Sequence, residues 1–405
     1  MFSTSLLYAL ASTAMLASAL PTRMIRRSDG DIQVLQFADV LEQLESTFYS
    51  QALSKFKDAD FTGAGFASSM VPIQQFASIQ RDEATHSAQL QAALSASGAA
   101  PVSGCQFNFD SALGDVKTMA ATARLVELVG VSAYIGGASL IEDKNTLNAA
   151  ASILTIEARH QTVLNLLNGG TTVPASFDAG LTPSEVLAIA GSFISGCDVG
   201  IPANPALKVT NTDTVMPGTL LTFESDAING TTDGMFCQML LAGEPNTIAL
   251  PMAECKVPDN FNGPVALFIT SDGQPLLNNV NARATSQLVA GPTMAFVDSQ
   301  QEQLSLLVKT NNAAAGGSGS SVSVESVSTQ TVSPEEASAI LASATAGGAG
   351  AASTAASGSG SAAAAAITAG TPSPNGQSPD GKLVVNGLST VADSASSAAA
   401  PSASA

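Results

Sequence analysis

Asp82-Glu83-Ala84-Thr85-His86 and Ile156-Glu157-Ala158-Arg159-His160 hold the only two histidines of the chain, and each histidine has a glutamate three positions before it. With 14 glutamates among 405 residues, independent placement would satisfy that condition at both histidines about 0.1% of the time. The coincidence needs a cause. Residues i and i+3 share a helix face, so each pair can aim a carboxylate and an imidazole at one point. The neighbours repeat as well: Ile79, Glu83, His86 and Leu90 in one copy, Ile153, Glu157, His160 and Leu164 in the other. Both pairs therefore lie in an apolar stripe, where an uncompensated ionised carboxylate is costly.

A second repeat lies outward from these motifs. Glu42 is followed seven residues on by Tyr49, and Glu127 by Tyr134; the remaining tyrosine of the three is Tyr8. Glu42, Glu83, His86, Glu127, Glu157 and His160 are thus two copies of a helix glutamate followed by a helix Glu-x-x-His, the inward ligand set of a dinuclear carboxylate site in a four-helix bundle. Four carboxylates neutralise two divalent cations and each imidazole adds a nitrogen, a donor set that suits iron or manganese better than calcium. Glu45, one turn after Glu42, is an alternative ligand. The second half has Gly130 at the equivalent place, so the repeat ranks Glu42 first. Tyr49 and Tyr134 fit either hydrogen bonds to ligand carboxylates or plain core positions. Asp82 fits either an orienting partner of a histidine ring or a solvated acid, and Ile156 occupies its matching position. With both histidines in the metal set, none remains for a Ser-His-Asp or Cys-His arrangement. Gly63-Ala64-Gly65 lacks a phosphate-loop context.

Apolar spacing predicts a mainly α fold from Asp31 to Cys197: a four-helix bundle with one long crossover. The first helix is expected to be capped by Asp31, with the stripe Leu35, Ala38, Glu42, Glu45, Tyr49, Ala52, Phe56. Further helices are expected over Pro72–Ala93, Asp115–Ile141 and Lys144–Leu167, the last closed by Gly169-Gly170. The crossover is Ser95–Gly114. A fifth helix is expected to start at the capping box Thr182-Pro183-Ser184-Glu185 and end near Gly196.

With Leu41-Glu42-Gln43-Leu44-Glu45-Ser46-Thr47-Phe48-Tyr49, the two Glu-x-x-His motifs and Ala150-Ala151-Ser152-Ile153-Leu154-Thr155-Ile156-Glu157-Ala158-Arg159-His160, the region 31–197 resembles the ferritin-like domain of secreted fungal and plant desiccation- or stress-related proteins. The resemblance implies a ferritin-like fold. It implies no particular reaction, because function resides in the site and not in the fold.

Beyond Pro202, short β-branched and aromatic runs predict a β-rich, sandwich-like region over 198–311, with strands at Leu207–Thr210, Leu220–Phe223, Met235–Leu240, Val265–Thr270 and Met294–Val297. From 312 to 405 the chain is almost entirely Ala, Ser, Gly and Thr, too poor in large apolar residues to offset ordering entropy, and is expected to be disordered. At the other end, Leu6–Leu16 followed by Ala17-Ser18-Ala19 reads as a signal peptide over 1–19, and Arg26-Arg27 marks a propeptide or linker over 20–30. The run is too short for a membrane span. Residues 394–405 lack the apolar stretch of a GPI signal.

Cys105, Cys197, Cys237 and Cys255 are an even set without C-x-x-C, which fits an oxidising compartment and disulfides rather than thiolate zinc. Of the three pairings possible, Cys105 with Cys197 and Cys237 with Cys255 is expected, since the last two share one β-like segment. Asn229-Gly230-Thr231 is a glycosylation sequon in a turn-like stretch. The net charge of −18 excludes nucleic acid as a natural partner and favours cations. Two functions fit: a secreted di-metal redox protein handling oxygen, peroxide or Fe(II) under stress, or a non-catalytic structural protein associated with cell-wall polymer.

Overall fold

The computed structural model describes residues 28–309, together with the backbone of two short strands, Asn375–Gln377 and Val384–Asn386, which pair antiparallel. The signal segment, the Arg26-Arg27 linker and, apart from those strands, the tail 312–405 lie outside the described residues.

Two long helical hairpins form the bundle. The first joins α1 (Asp29–Lys55) to α3 (Met70–Ala96) through a one-and-a-half-turn helix, α2 (Asp58–Gly63). The second joins α4 (Val116–Ala138) to α5 (Lys144–Leu167). The expected stripe of α1 is buried at every position but Ala38. Its cap differs from the expectation: Ser28 accepts the N–H of Asp31. Asp31 is itself buried and accepts the N–H of Glu142 at 2.8 Å, joining the start of α1 to the α4–α5 turn. Asp115 and Asp143 cap α4 and α5 through Thr118 and Thr146. The C-terminus of α5 falls at Leu167 as expected, with Gly169 at φ +86°, the left-handed conformation that glycine adopts without strain.

The crossover between α3 and α4 carries β1 (Gln106–Phe107), which pairs with β2 (Ile194–Ser195). Beside this ladder Cys105 and Cys197 form a disulfide. The fifth helix, α6 (Pro183–Ala190), begins with the Thr182/Glu185 capping box and ends sooner than expected, passing through a 3-10 turn (Gly191–Phe193) into β2.

The β-rich region contains β3 (Lys208–Val209), β4 (Phe223–Glu224), β5 (Phe236–Leu241), β6 (Ile248–Pro251), β7 (Gly263–Thr270) and β8 (Leu288–Val297). One antiparallel sheet has the order β6-β5-β7-β8. In place of a second full sheet, its outer layer is the β3–β4 ladder with irregular segments around Leu207, Leu221, Cys255 and Val257. Alternation along each strand sends successive side chains to opposite faces. Cys237, Met239, Val265, Leu267 and Ile269 pack outward, where Cys237 is bonded to Cys255. Leu240, Ala266 and Phe268 point into the same core as the helices. Two arginines fasten sheet to bundle. Arg124 of α4 forks onto Asp298 at 2.7 and 2.8 Å, and Arg283 meets Glu185 of α6 at 2.6 Å with both side chains fully buried. A short helix, α7 (Gln303–Val308), follows. Among the described residues, α4 is long and apolar enough to cross a membrane, and here it is the core helix of the bundle.

Candidate metal centre

All six residues of the predicted set meet in the bundle core. Glu42 and Glu127 come from α1 and α4; Glu83 with His86 and Glu157 with His160 come from α3 and α5. Their donor atoms fall into two overlapping groups, Glu42/Glu83/His86/Glu157 and Glu83/Glu127/Glu157/His160, each within 4.8 Å. Glu83 and Glu157 belong to both groups. The pseudo-two-fold repeat of the sequence thus becomes a two-fold arrangement of side chains, with each half drawing on both hairpins.

The imidazoles face inward through the same ring atom. His86 Nδ1 lies 3.1 Å from Glu42, 3.2 Å from Glu83 and 3.3 Å from Glu157. His160 Nδ1 lies 2.8 Å from Glu83 and 3.2 Å from Glu127. The outer nitrogens differ: His160 Nε2 meets Asp82 Oδ2 at 3.2 Å, reaching from α3 to α5. Asp82 therefore serves the histidine of the other hairpin and not its neighbour His86. The two tyrosines cross the bundle reciprocally. Tyr49 of α1 donates to Glu127 of α4 at 2.7 Å, and Tyr134 of α4 donates to Glu42 of α1. The seven-residue spacing puts each hydroxyl two turns from its own glutamate, level with the glutamate of the facing antiparallel helix.

Glu45 joins this cluster as a seventh group, 3% exposed. A Cβ added at Gly130 would lie 2.9 Å from Glu157 Oε2 and 3.0 Å from Glu45 Oε1, so the missing side chain on α4 is what gives the two carboxylates room. Glu45 stands outside both four-residue donor groups.

Burial and mutual repulsion dominate the electrostatics. Desolvation, then the neighbouring Glu127, pushes Glu83 up to about 8. Desolvation, then Glu83 and Glu127, raises Glu157 well above the usual range; Glu45 is raised by desolvation, then by Glu157, Glu83 and Glu127. For His86 burial pulls downward, but Glu157, Glu42 and Glu83 outweigh it and drive the ring to about 12. His160 reaches about 11 against the same burial effect, through Glu127 and Glu83. The pocket is therefore strongly electronegative and holds protons for want of other positive charge. Even with both imidazoles present, Glu157 Oε2 is buried without a polar partner, and Glu83 Oε1 and Glu157 Oε1 meet only the Nδ1 atoms of His160 and His86, at 2.8 and 3.3 Å. Buried carboxylate oxygens crowded around two histidine nitrogens are the chemistry of a cation site, and divalent ions fit the donor set.

Sequence reasoning put Glu45 in the buried stripe but did not find the sharing of Glu83 and Glu157 or the room that α4 leaves for Glu45. The signal for the latter was Gly130, read only as a break in the repeat.

Residues 30–170 match the family model described as "Ferritin-like domain". Protein rds1 of Schizosaccharomyces pombe is 28% identical over 170 residues, 42% of this chain, and the matched part spans 40% of the length of that relative.

Proposed function

Since this chain carries a ferritin-like domain, we propose that it binds a dinuclear iron or manganese centre, which Glu42, Glu83, His86, Glu127, Glu157 and His160 would hold, Glu83 and Glu157 belonging to both donor groups. The observation that carries this reading is the pair of donor groups sharing Glu83 and Glu157, whose buried oxygens meet no donor but the two imidazoles among the described residues. Charge supports it: four ionised glutamates balance two divalent cations once the imidazoles give up their protons. Glu45, driven towards its neutral form, need not be counted. Bound there, such ions supply one-electron redox chemistry towards oxygen, peroxide or Fe(II). The residues of the chain do the rest. Tyr49 and Tyr134 fix the Glu127 and Glu42 carboxylates, Asp82 holds the His160 ring so that Nδ1 faces inward, and a neutral Glu45 keeps a proton next to Glu157.

The same reading has the protein exported, possessing a cleaved 1–19 segment. It is supported by two disulfides, which suit an oxidising compartment, and by an exposed sequon at Asn229. Association with wall polymer through 312–405 belongs to the alternative, non-catalytic structural role.

Elemental analysis of the purified full chain after separate iron and manganese reconstitution tests the centre. About two ions per chain are expected, and a stoichiometry near zero with both metals would sink the reading. Oxygen uptake by the iron-loaded protein then separates a redox role from a purely structural one.

A further inference from the structure

The two halves of the centre match, but what lies beyond them does not. On the Tyr49 side the core is filled: Phe48, Phe61 and Phe76 are fully buried, with the Tyr49 and Phe76 rings stacked at 6.0 Å. On the Tyr134 side the bundle leaves a partly open cavity of about 250 Å³, walled on its inner side by Phe37, Leu41, Leu90, Ala133, Tyr134 and Ile153. Leu90 is four residues from His86, Ile153 four from Glu157, and Leu41 adjoins Glu42, so the walls stand one helical turn, about 5 Å, from three of the six donors. Tyr134 belongs to both places, since it lines the cavity while its hydroxyl donates to Glu42.

Protein interiors are close-packed, and an apolar void costs stability in proportion to its size. A bundle that packs one end with aromatic rings and leaves the equivalent end hollow has space for an occupant. The lining settles its chemistry. Among the described residues no Lys, Arg or His lines the cavity, its polar members are amides and hydroxyls such as Gln33, Asn145 and Thr146, and the centre alongside is strongly electronegative. A carboxylate or phosphate would find no countercharge. A cavity of about 150 Å³ holds benzene, so this one has room for about ten non-hydrogen atoms. Leu140, which lines the cavity and is 45% exposed, marks the way in.

We propose that this cavity is the binding pocket of an uncharged, hydrocarbon-like molecule of about ten carbon atoms, held against Tyr134 beside the Glu42–His86 half of the centre. The pocket stands on its own walls; only its role as the substrate pocket rests on the dinuclear reading.

The test uses the full chain, metal-free and metal-loaded, with naphthalene as probe and 2-naphthoate as its charged analogue. Saturable one-to-one naphthalene binding is expected in both forms, with 2-naphthoate at least about tenfold weaker. Ala93→Phe and Ala150→Phe, which fill the cavity from α3 and α5 without touching a donor residue, should each weaken naphthalene binding by about tenfold or more; circular dichroism identifies a variant that fails to fold, and the other then decides. In cobalt(II)-loaded protein, naphthalene should shift the visible bands of the metal. No saturable binding, or equal affinity in wild type and both folded variants, overturns the pocket, and an unmoved cobalt spectrum overturns its placement beside Glu42. Naphthalene binding with no metal uptake would refute the dinuclear reading alone, whereas metal uptake without naphthalene binding would refute the pocket alone.

Discussion

Three glycines on α4 face three different surroundings, and replacing each by alanine should give three different outcomes: a gain, a moderate loss and a large loss. In a helix interior Gly→Ala gains up to about 1 kcal/mol from backbone entropy alone. At Gly137 the new methyl would meet only Val34 Cγ1 at 3.7 Å, an ordinary contact, so most of that gain should survive and raise Tm by about 2 °C for a chain of this size. At Gly130 the methyl would sit 2.9 Å from Glu157 Oε2 and 3.0 Å from Glu45 Oε1. Those carboxylates are buried and repel each other, so neither can retreat freely, and overpacking of this kind costs about 1–3 kcal/mol. Net of the helical gain, Gly130→Ala should lose up to about 2 kcal/mol, or up to about 4 °C in Tm, and should also lower metal content, because Glu157 belongs to both donor groups. At Gly136 the methyl would lie 1.8 Å from the backbone oxygen of Leu181, which no rotamer relieves; a loss above about 4 kcal/mol is expected. Thermal melts and metal analysis of the full-length variants, run side by side, decide it. A Gly130→Ala protein that melts above wild type with full metal content would show that the carboxylates yield, and the crowding argument would fall.

Glu42→Ala and Glu127→Ala should each empty the centre to a similar degree, while Glu45→Gln, one neutral group replacing another, should keep its metal; the reverse order would mean that Glu45 is the α1 ligand. Asp82→Asn should loosen metal by about 10–100-fold on the His160 half only, seen as one weakened and one unchanged site in a chelator titration, and two equally weakened sites would remove its orienting role. For the metal-free protein, Glu83 is raised in the folded state, so the stability it allows is complete below its unfolded value near 4.5 and is lost as pH rises through about 8. The histidines, raised to about 12 and 11, act in the same direction from 6.5 upward. Metal-free Tm should therefore fall from pH 5 to pH 8, whereas metal occupancy rises with pH as protons leave the ligands; a metal-free Tm that climbs over this range contradicts the electrostatic account.

The bundle was legible because its signals are local. A 3.6-residue stripe and the Thr182/Glu185 capping box fix α1 and α6 without knowledge of the rest of the chain, and two histidines in 405 residues make their shared spacing conspicuous. Asp31 misled because serine and aspartate are near-equal caps, and only the α4–α5 turn decides that Asp31 has another partner. The strand β6 escaped notice because Ile248-Ala249-Leu250-Pro251 is short and ends in proline, which an edge strand tolerates and a sequence pattern reads as a break. The second sheet layer was overestimated because Leu207–Thr210 and Leu220–Phe223 are β-branched and apolar enough to read as strands but pair over only two residues each. The cavity has no sequence signature at all, since it is defined by atoms that are missing between four helices.

The inner face of the β-sheet carries a practical consequence for anyone who would cut this chain at the edge of its recognisable motif. Leu240, Ala266 and Phe268 finish the wall of the helical core, and Glu185 is neutralised by Arg283 from beyond β7. A fragment ending at residue 197 would present that wall to water and strand a buried glutamate without its counter-ion. Such a fragment is a candidate for aggregation before it is a candidate for metal analysis. The stretch that the ferritin-like family model matches, 30–170, is thus shorter than the stretch that must fold together, and expression boundaries belong after α7.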